Sequence, residues 1–116
     1  MIDWDRVANL RAEVGEDDFD EVVELFLEEV DAKIDELRNS PSQADMAADM
    51  HFLKGSALSL GFSAFSDLCQ TGENYAAQGQ TDLVDIPKFV DCYSQSRTEF
   101  LVQYRKRIAN LSETAP

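Results

Sequence analysis

The sequence predicts an all-α fold: an antiparallel four-helix bundle with a short additional N-terminal helix packed across one end. Three observations carry this. Glycine and proline are scarce, 5 and 3 among 116 residues, which is about 7% of the chain where roughly 12% is average. So few breakers leave little room for the closely spaced turns of an all-β chain. The breakers Gly15, Pro41, Gly61, Gly79 and Pro87 fall between stretches of helical period, and four long amphipathic helices with short links close most economically as a bundle.

The first helix is expected from about Asp3 to Val14, with Trp4, Val7 and Leu10 on one side and Gly15 as its stop. The second opens at Asp17 or Asp18 and carries Phe19, Val22, Val23, Phe26, Val30, Ile34 and Leu37 at three- and four-residue spacing, ending near Asn39-Ser40-Pro41. Its opposite face is densely acidic and reads as a solvated surface, because it lacks the glycine-centred loop in which calcium ligands are usually set. Ser42 with Asp45 resembles a capping box and opens the third helix, whose stripe is Met46, Met50, Leu53, Ala57 and Leu60. Gly61 stops it and Ser63 is placed to cap the fourth, which buries Phe65, Leu68, Cys69, Gly72 and Ala76 before Gly79 ends it.

Asp85 caps the last helix, with Pro87 in its first turn where no intrahelical donor is lost. Its seam is Ile86, Phe89, Val90, Tyr93, Arg97, Phe100, Leu101, Tyr104, Ile108 and Leu111, and Arg97 within that seam is expected to pair with a carboxylate. Residues 1–111 make a single domain, and 112–116, which lack a pattern, a frayed tail.

Charge narrows the function. Ten basic residues against 23 acidic give −13 and a pI near 4.2, a surface that repels phosphate backbones and anionic leaflets, so neither nucleic acid nor membrane is an expected partner. No apolar run approaches a bilayer span and the N-terminus lacks a signal peptide's pattern, which points to the cytoplasm. Cys69 and Cys92 are too few and too far apart for a metal or disulfide framework and are expected as free, buried thiols.

Two glycines, Gly55 and Gly72, break the helix rules by sitting inside helical patterns, at about 1 kcal/mol each relative to alanine. Gly55 lies one turn from His51, the only histidine, and Lys54 lies at i+3, so the three share one helix surface. On a helical wheel His51 points roughly 140° away from the apolar stripe, toward solvent. Around it fall Ala44, Ala47, Ala48, Gly55 and Leu58, with Lys54 at one edge, and this face is expected to carry no carboxylate, a small apolar patch of the kind that marks a docking surface. The chemistry suits phosphoryl transfer: a neutral imidazole is a good nucleophile, a lysine supplies positive charge, and a glycine lets another protein approach.

The run His51-Phe52-Leu53-Lys54-Gly55-Ser56-Ala57-Leu58-Ser59-Leu60-Gly61 resembles the H-x-x-K-G-[SA]-[SA]-x-x-x-G signature of histidine-containing phosphotransfer (HPt) domains. The resemblance extends to Gly15-Glu16-Asp17-Asp18-Phe19 and Phe26 upstream and to Cys69, Glu73, Ala76 and Gly79 downstream, covering about residues 3–111. It implies a four-helix phosphocarrier that takes a phosphoryl group from the aspartyl phosphate of one receiver domain and passes it to another. His51 is then the phosphoacceptor, Lys54 the phosphate-neutralising cation and Gly55 the close-approach position. Ala44, Ala47, Ala48 and Leu58 form the receiver-docking surface around it.

One departure stands out. Where the family usually has leucine before a Gln or Glu of helix four, this chain has Gly72-Glu73. The gap is expected to be filled by Tyr75 or by an aromatic of the last helix, Tyr93 or Phe100. Glu73 as acceptor for the imidazole N–H would orient the ring and raise its basicity, while its charge would oppose an incoming phosphoryl group; the sequence leaves open whether it reaches His51.

The expected partners are receiver domains of response regulators and of hybrid sensor histidine kinases, and the chain is expected to be a monomer. It has no Gly-rich nucleotide loop, so it is expected to be a carrier and not an ATP-dependent kinase. No metal ligands surround His51 and no cofactor is expected in the chain itself; Mg²⁺ is expected on the partner receiver. The alternative is a helical adaptor that binds a receiver without carrying phosphate.

Overall fold

The computed structural model of the chain describes residues 2–40 and 44–114, with side chains as far as residue 107. Among the described residues there are five α-helices and no strand: α1 (Trp4–Val14), α2 (Glu16–Asn39), α3 (Met46–Leu60), α4 (Ser63–Ala77) and α5 (Ile86–Thr114), with a short 3-10 turn at Thr81–Leu83 before the last. The fold class is as expected. Helices α2 to α5 form the antiparallel bundle and α1 closes one end. The radius of gyration, 15.5 Å, exceeds the ~13.4 Å of a compact globule of this length, as an elongated bundle requires.

Most boundaries follow the breakers, and the exceptions have local causes. Helix α2 begins at Glu16, earlier than the expected Asp17 or Asp18, because Gly15 at φ 89° reverses the chain in a single residue. Asp17 and Asp18 therefore lie within the first turn, where the helix dipole favours negative charge. Asp45 occupies the N-cap of α3, without a side-chain cap bond, and the proposed capping residue Ser42 lies outside the described residues. Helix α4 has Phe62, not Ser63, at its N-cap, also without a side-chain cap bond; burial of the Phe62 ring, 1% exposed, fixes the entry of this helix. Asp85 does cap α5, its Oδ1 accepting from the Lys88 N–H at 3.1 Å. Helical structure continues to Thr114, past the end of the apolar seam at Leu111; Ile108 and Leu111 of that seam lie outside the described side chains.

The turn between α3 and α4 is the tightest link. Gly61 sits at φ 78°, and the N–H groups of Phe62 and Gly61 return to the carbonyls of Ala57 (2.8 Å) and Leu58 (3.3 Å), capping α3. Residue 61 must also be small, since a Cβ there would lie 2.6 Å from the Asp3 carbonyl oxygen. That contact anchors the N-terminal segment: the Asp3 N–H donates to the Gly61 carbonyl at 2.7 Å, and Arg6 Nε to the Ser59 carbonyl at 3.3 Å.

The core takes the predicted stripes. Phe19, Val23, Val30, Ile34 and Leu37 of α2, all five stripe residues of α3, and Phe65, Cys69 and Gly72 of α4 are buried. Leu27, Ser66 and Ser96 are also buried, although the wheel assigned none of them inward. Phe62, Phe65, Phe89, Tyr93 and Phe100 form one ring-to-ring cluster with centroids 5.0–6.3 Å apart, and Trp4 of α1 stacks on Phe100 at 5.8 Å. Polar ties join α2 to α5: the Tyr93 hydroxyl donates to Asp31 at 2.6 Å, the Arg97 guanidinium pairs with the same carboxylate at 3.3 Å, and the Tyr104 hydroxyl donates to Asp20 at 2.8 Å. Arg97 thus has its carboxylate. Both cysteines are free thiols; Cys69 is buried, whereas Cys92 is only half-buried.

Candidate functional site

The two-residue turn sets which residues of α3 and α4 face each other. His51 and Glu73 are equally distant in sequence from Phe62, and so are Lys54 and Gln70. Each pair meets. His51 Nδ1 lies 3.0 Å from Glu73 Oε2, Lys54 Nζ lies 3.1 Å from Glu73 Oε1, and the same ammonium donates to Gln70 Oε1 at 3.2 Å. Gln70 in turn donates from Nε2 to Asn74 Oδ1 at 3.0 Å. Glu73 therefore reaches His51 and Lys54 together, one carboxylate oxygen to each.

The His51 side chain is 72% exposed, while those of Lys54 and Glu73 are only 20% and 21% exposed. The imidazole stands on the surface, and the charged pair lies beneath its edge. The hydrogen bond from the Lys54 ammonium is the largest influence holding the Glu73 carboxyl below its ordinary value; partial burial opposes it and the bond to His51 adds to it. Glu73 is thus ionised and acceptor-only, so the bond to the ring is Nδ1–H donating to carboxylate. That fixes the neutral imidazole in the tautomer whose Nε2 carries the lone pair.

Gly72 explains how α4 comes so close. A Cβ at this position would lie 2.8 Å from Met50 Sδ and 3.8 Å from the Phe89 ring. Met50 and Phe89 thus occupy the space expected to be filled by Tyr75, Tyr93 or Phe100. Gly55 is the opposite case. Among the described residues nothing lies within 4 Å of a Cβ placed there, so none of them requires a glycine at this exposed position.

Of the proposed docking residues, Ala48, Gly55 and Leu58 are exposed along α3, Leu58 at 56%, and Ala47 is half-buried. Ala44 is exposed but sits in the turn before α3 and not on the helix itself. Phe52, 39% exposed beside His51, is an apolar surface residue that the wheel did not single out. The surroundings are less empty of carboxylate than α3 alone suggests, because Glu73 arrives from α4. Asp49, only 13% exposed, is tied to Lys33 of α2 at 3.2 Å.

Gln70 and Asn74 were missed by sequence reading. Their i+4 spacing on α4 was visible, but their link to Lys54 depends on the register between two helices. Among the described residues no group of three or more His, Cys, Asp or Glu side chains is placed to hold a metal ion, and no helix is long and apolar enough to cross a membrane.

The bundle thus presents an exposed imidazole on α3, oriented by a carboxylate of α4. The family model of the Hpt domain matches residues 21–114, and the chain belongs to that family. Membership implies a phosphotransfer role in two-component signalling, in exchange with receiver domains. No curated protein and no solved structure matches the chain significantly.

Proposed function

We propose that this chain is a phosphorelay carrier in which His51 Nε2 takes a phosphoryl group from the aspartyl phosphate of one receiver domain and yields it to the aspartate of another. The observation that supports this most directly is the bond from His51 Nδ1 to Glu73 on a ring 72% exposed. The Nε2 lone pair attacks phosphorus, an N–P bond forms, the P–O bond to the aspartate breaks, and its electron pair stays on the departing carboxylate. The proton on Nδ1 remains directed at Glu73, whose carboxylate offsets the positive charge that the ring gains as the N–P bond forms. Lys54 compensates the charge of Glu73 and offers a donor to the moving phosphoryl oxygens. Mg²⁺ is supplied by the receiver, and the chain uses no nucleotide and no cofactor of its own.

The exposed Ala48, Gly55 and Leu58 line, with Phe52 beside it, is the surface on which the receivers of response regulators and hybrid kinases dock. The protein works as a monomer in the cytoplasm. The test is to mix the chain with ³²P-labelled receiver domains. Label should pass to the native protein as an acid-labile, base-stable phosphoramidate, and His51→Gln should take up none while still binding the receiver. Labelled His51→Gln overturns the assignment; binding without label on the native chain leaves the adaptor reading in its place.

A further inference from the structure

The Lys54 ammonium carries three N–H donors, and α4 takes two of them, one through Glu73 and one through Gln70. A surface lysine held by one carboxylate alone pivots about it, since such pairs contribute little against the entropy of a long side chain. Lys54 is not such a lysine: its side chain is only 20% exposed, and two acceptors one helical turn apart fix its position from two sides. The second acceptor is itself held. Asn74 accepts from Gln70 Nε2 at 3.0 Å, which keeps the amide oxygen turned toward the ammonium. We propose that Gln70, secured by Asn74, is a positioning residue of the His51 site, holding the Lys54 ammonium in place with a neutral acceptor so that its third donor serves the phosphoryl group.

This rests on the phosphocarrier reading above and adds to it a reason for the residue type. A carboxylate at residue 70 would hold the ammonium equally well, but it would leave the cluster with a net negative charge where phosphate must arrive. An amide holds without that charge. Because Gln70 and Asn74 are exposed in the unbound chain, their bonds gain strength when a docked receiver excludes water.

The experiment uses the full chain and reads the Lys54 ammonium directly by ¹H–¹⁵N NMR, alongside transfer kinetics from a labelled receiver. In Gln70→Leu the Lys54 ammonium should lose its order, and transfer should slow about three- to tenfold, the effect of one net hydrogen bond. Gln70→Glu should keep the ammonium ordered and still transfer slowly. In a Lys54→Ala background, Gln70→Leu should change the rate less than about twofold, because the two residues act as a unit. An equally ordered ammonium in Gln70→Leu overturns the proposal. So does a rate loss from Gln70→Leu that persists without Lys54, which would mean that Gln70 contacts the receiver itself. The ammonium measurement needs no phosphate. If no receiver labels the native chain, the carrier reading fails, and the order of Lys54 still decides the role of Gln70.

Discussion

Gly72 lies directly against the sulfur of Met50: a Cβ on the one would be 2.8 Å from Sδ of the other. Met50 precedes His51 and Gly72 precedes Glu73, so the contact between the bare backbone and the thioether sets how closely the imidazole and the carboxylate meet.

Gly72→Ala should destabilise the protein. The helix gains about 1 kcal/mol from alanine, but crowding a fully buried Met50 costs about 1–3 kcal/mol, for a net loss of about 1 kcal/mol in urea unfolding. A variant more stable than the native protein would show that Met50 yields without cost.

Gly55 should respond in the opposite direction. With nothing within 4 Å of its would-be Cβ, Gly55→Ala should gain up to about 1 kcal/mol. Gly55→Gln should fold as well as the native protein and transfer more slowly, because its side chain would stand in the proposed receiver-docking surface. Unchanged transfer in Gly55→Gln removes the steric argument.

Glu73 should titrate below its ordinary value of 4.5. A carboxyl whose folded pKa is depressed lends stability that is present above the unfolded value and is lost as pH falls through the folded one. The native protein should therefore lose this contribution below about pH 4.5, and Lys54→Ala, which removes the largest cause, should bring the Glu73 midpoint back up. Carboxyl ¹³C shifts followed against pH provide the check; a native midpoint at or above 4.5 contradicts the geometry.

At high pH the tyrosines set the limit. Burial and the bond to Asp20 push the Tyr104 hydroxyl up to about 12, and burial with Asp31 raises Tyr93 further. For groups raised in the folded state, stability is full below the unfolded value near 10 and falls as pH rises through the folded one. Stability should decline above about pH 10, and less steeply in Tyr93→Phe. An equal slope for both proteins means that Tyr93 ionises as easily folded as unfolded.

Lys54→Ala should slow transfer by one to two orders of magnitude, or roughly 1.4–2.7 kcal/mol of transition-state stabilisation. The isolated chain should bind Mg²⁺ no better than another acidic surface does. Calorimetry resolving one tight Mg²⁺ site, or native transfer rates in Lys54→Ala, would relocate the source of positive charge.

What one helix determines was legible in the residues. The stripe from Met46 to Leu60, the stop at Gly61, and the outward direction of His51 all follow from a 3.6-residue period. What two helices determine was not. Whether Glu73 reached His51, which residues filled the space at Gly72, and what held Lys54 all depend on the register across the turn, and that depends on Gly61 and Phe62 using only two residues to reverse the chain. A wheel drawn for α3 alone also showed a face without carboxylate, because Glu73 belongs to its neighbour. The start of α2 at Glu16 was hidden for another reason: Gly15 both ends one helix and begins the next, where a separate cap was expected.

The short reversal at Gly61 and Phe62 also bears on how the molecule assembles. His51, Lys54, Gln70 and Glu73 all belong to the hairpin from Met46 to Ala77, so closing their contacts requires only a small loss of chain entropy. The long-range search falls instead to the ties between α2 and α5, such as Tyr93 with Asp31, 62 residues away in sequence. Loop-closure entropy must be paid before contacts of high sequence separation reward it. The cluster around His51 is thus local in sequence, and the ties between α2 and α5 carry the larger closure cost.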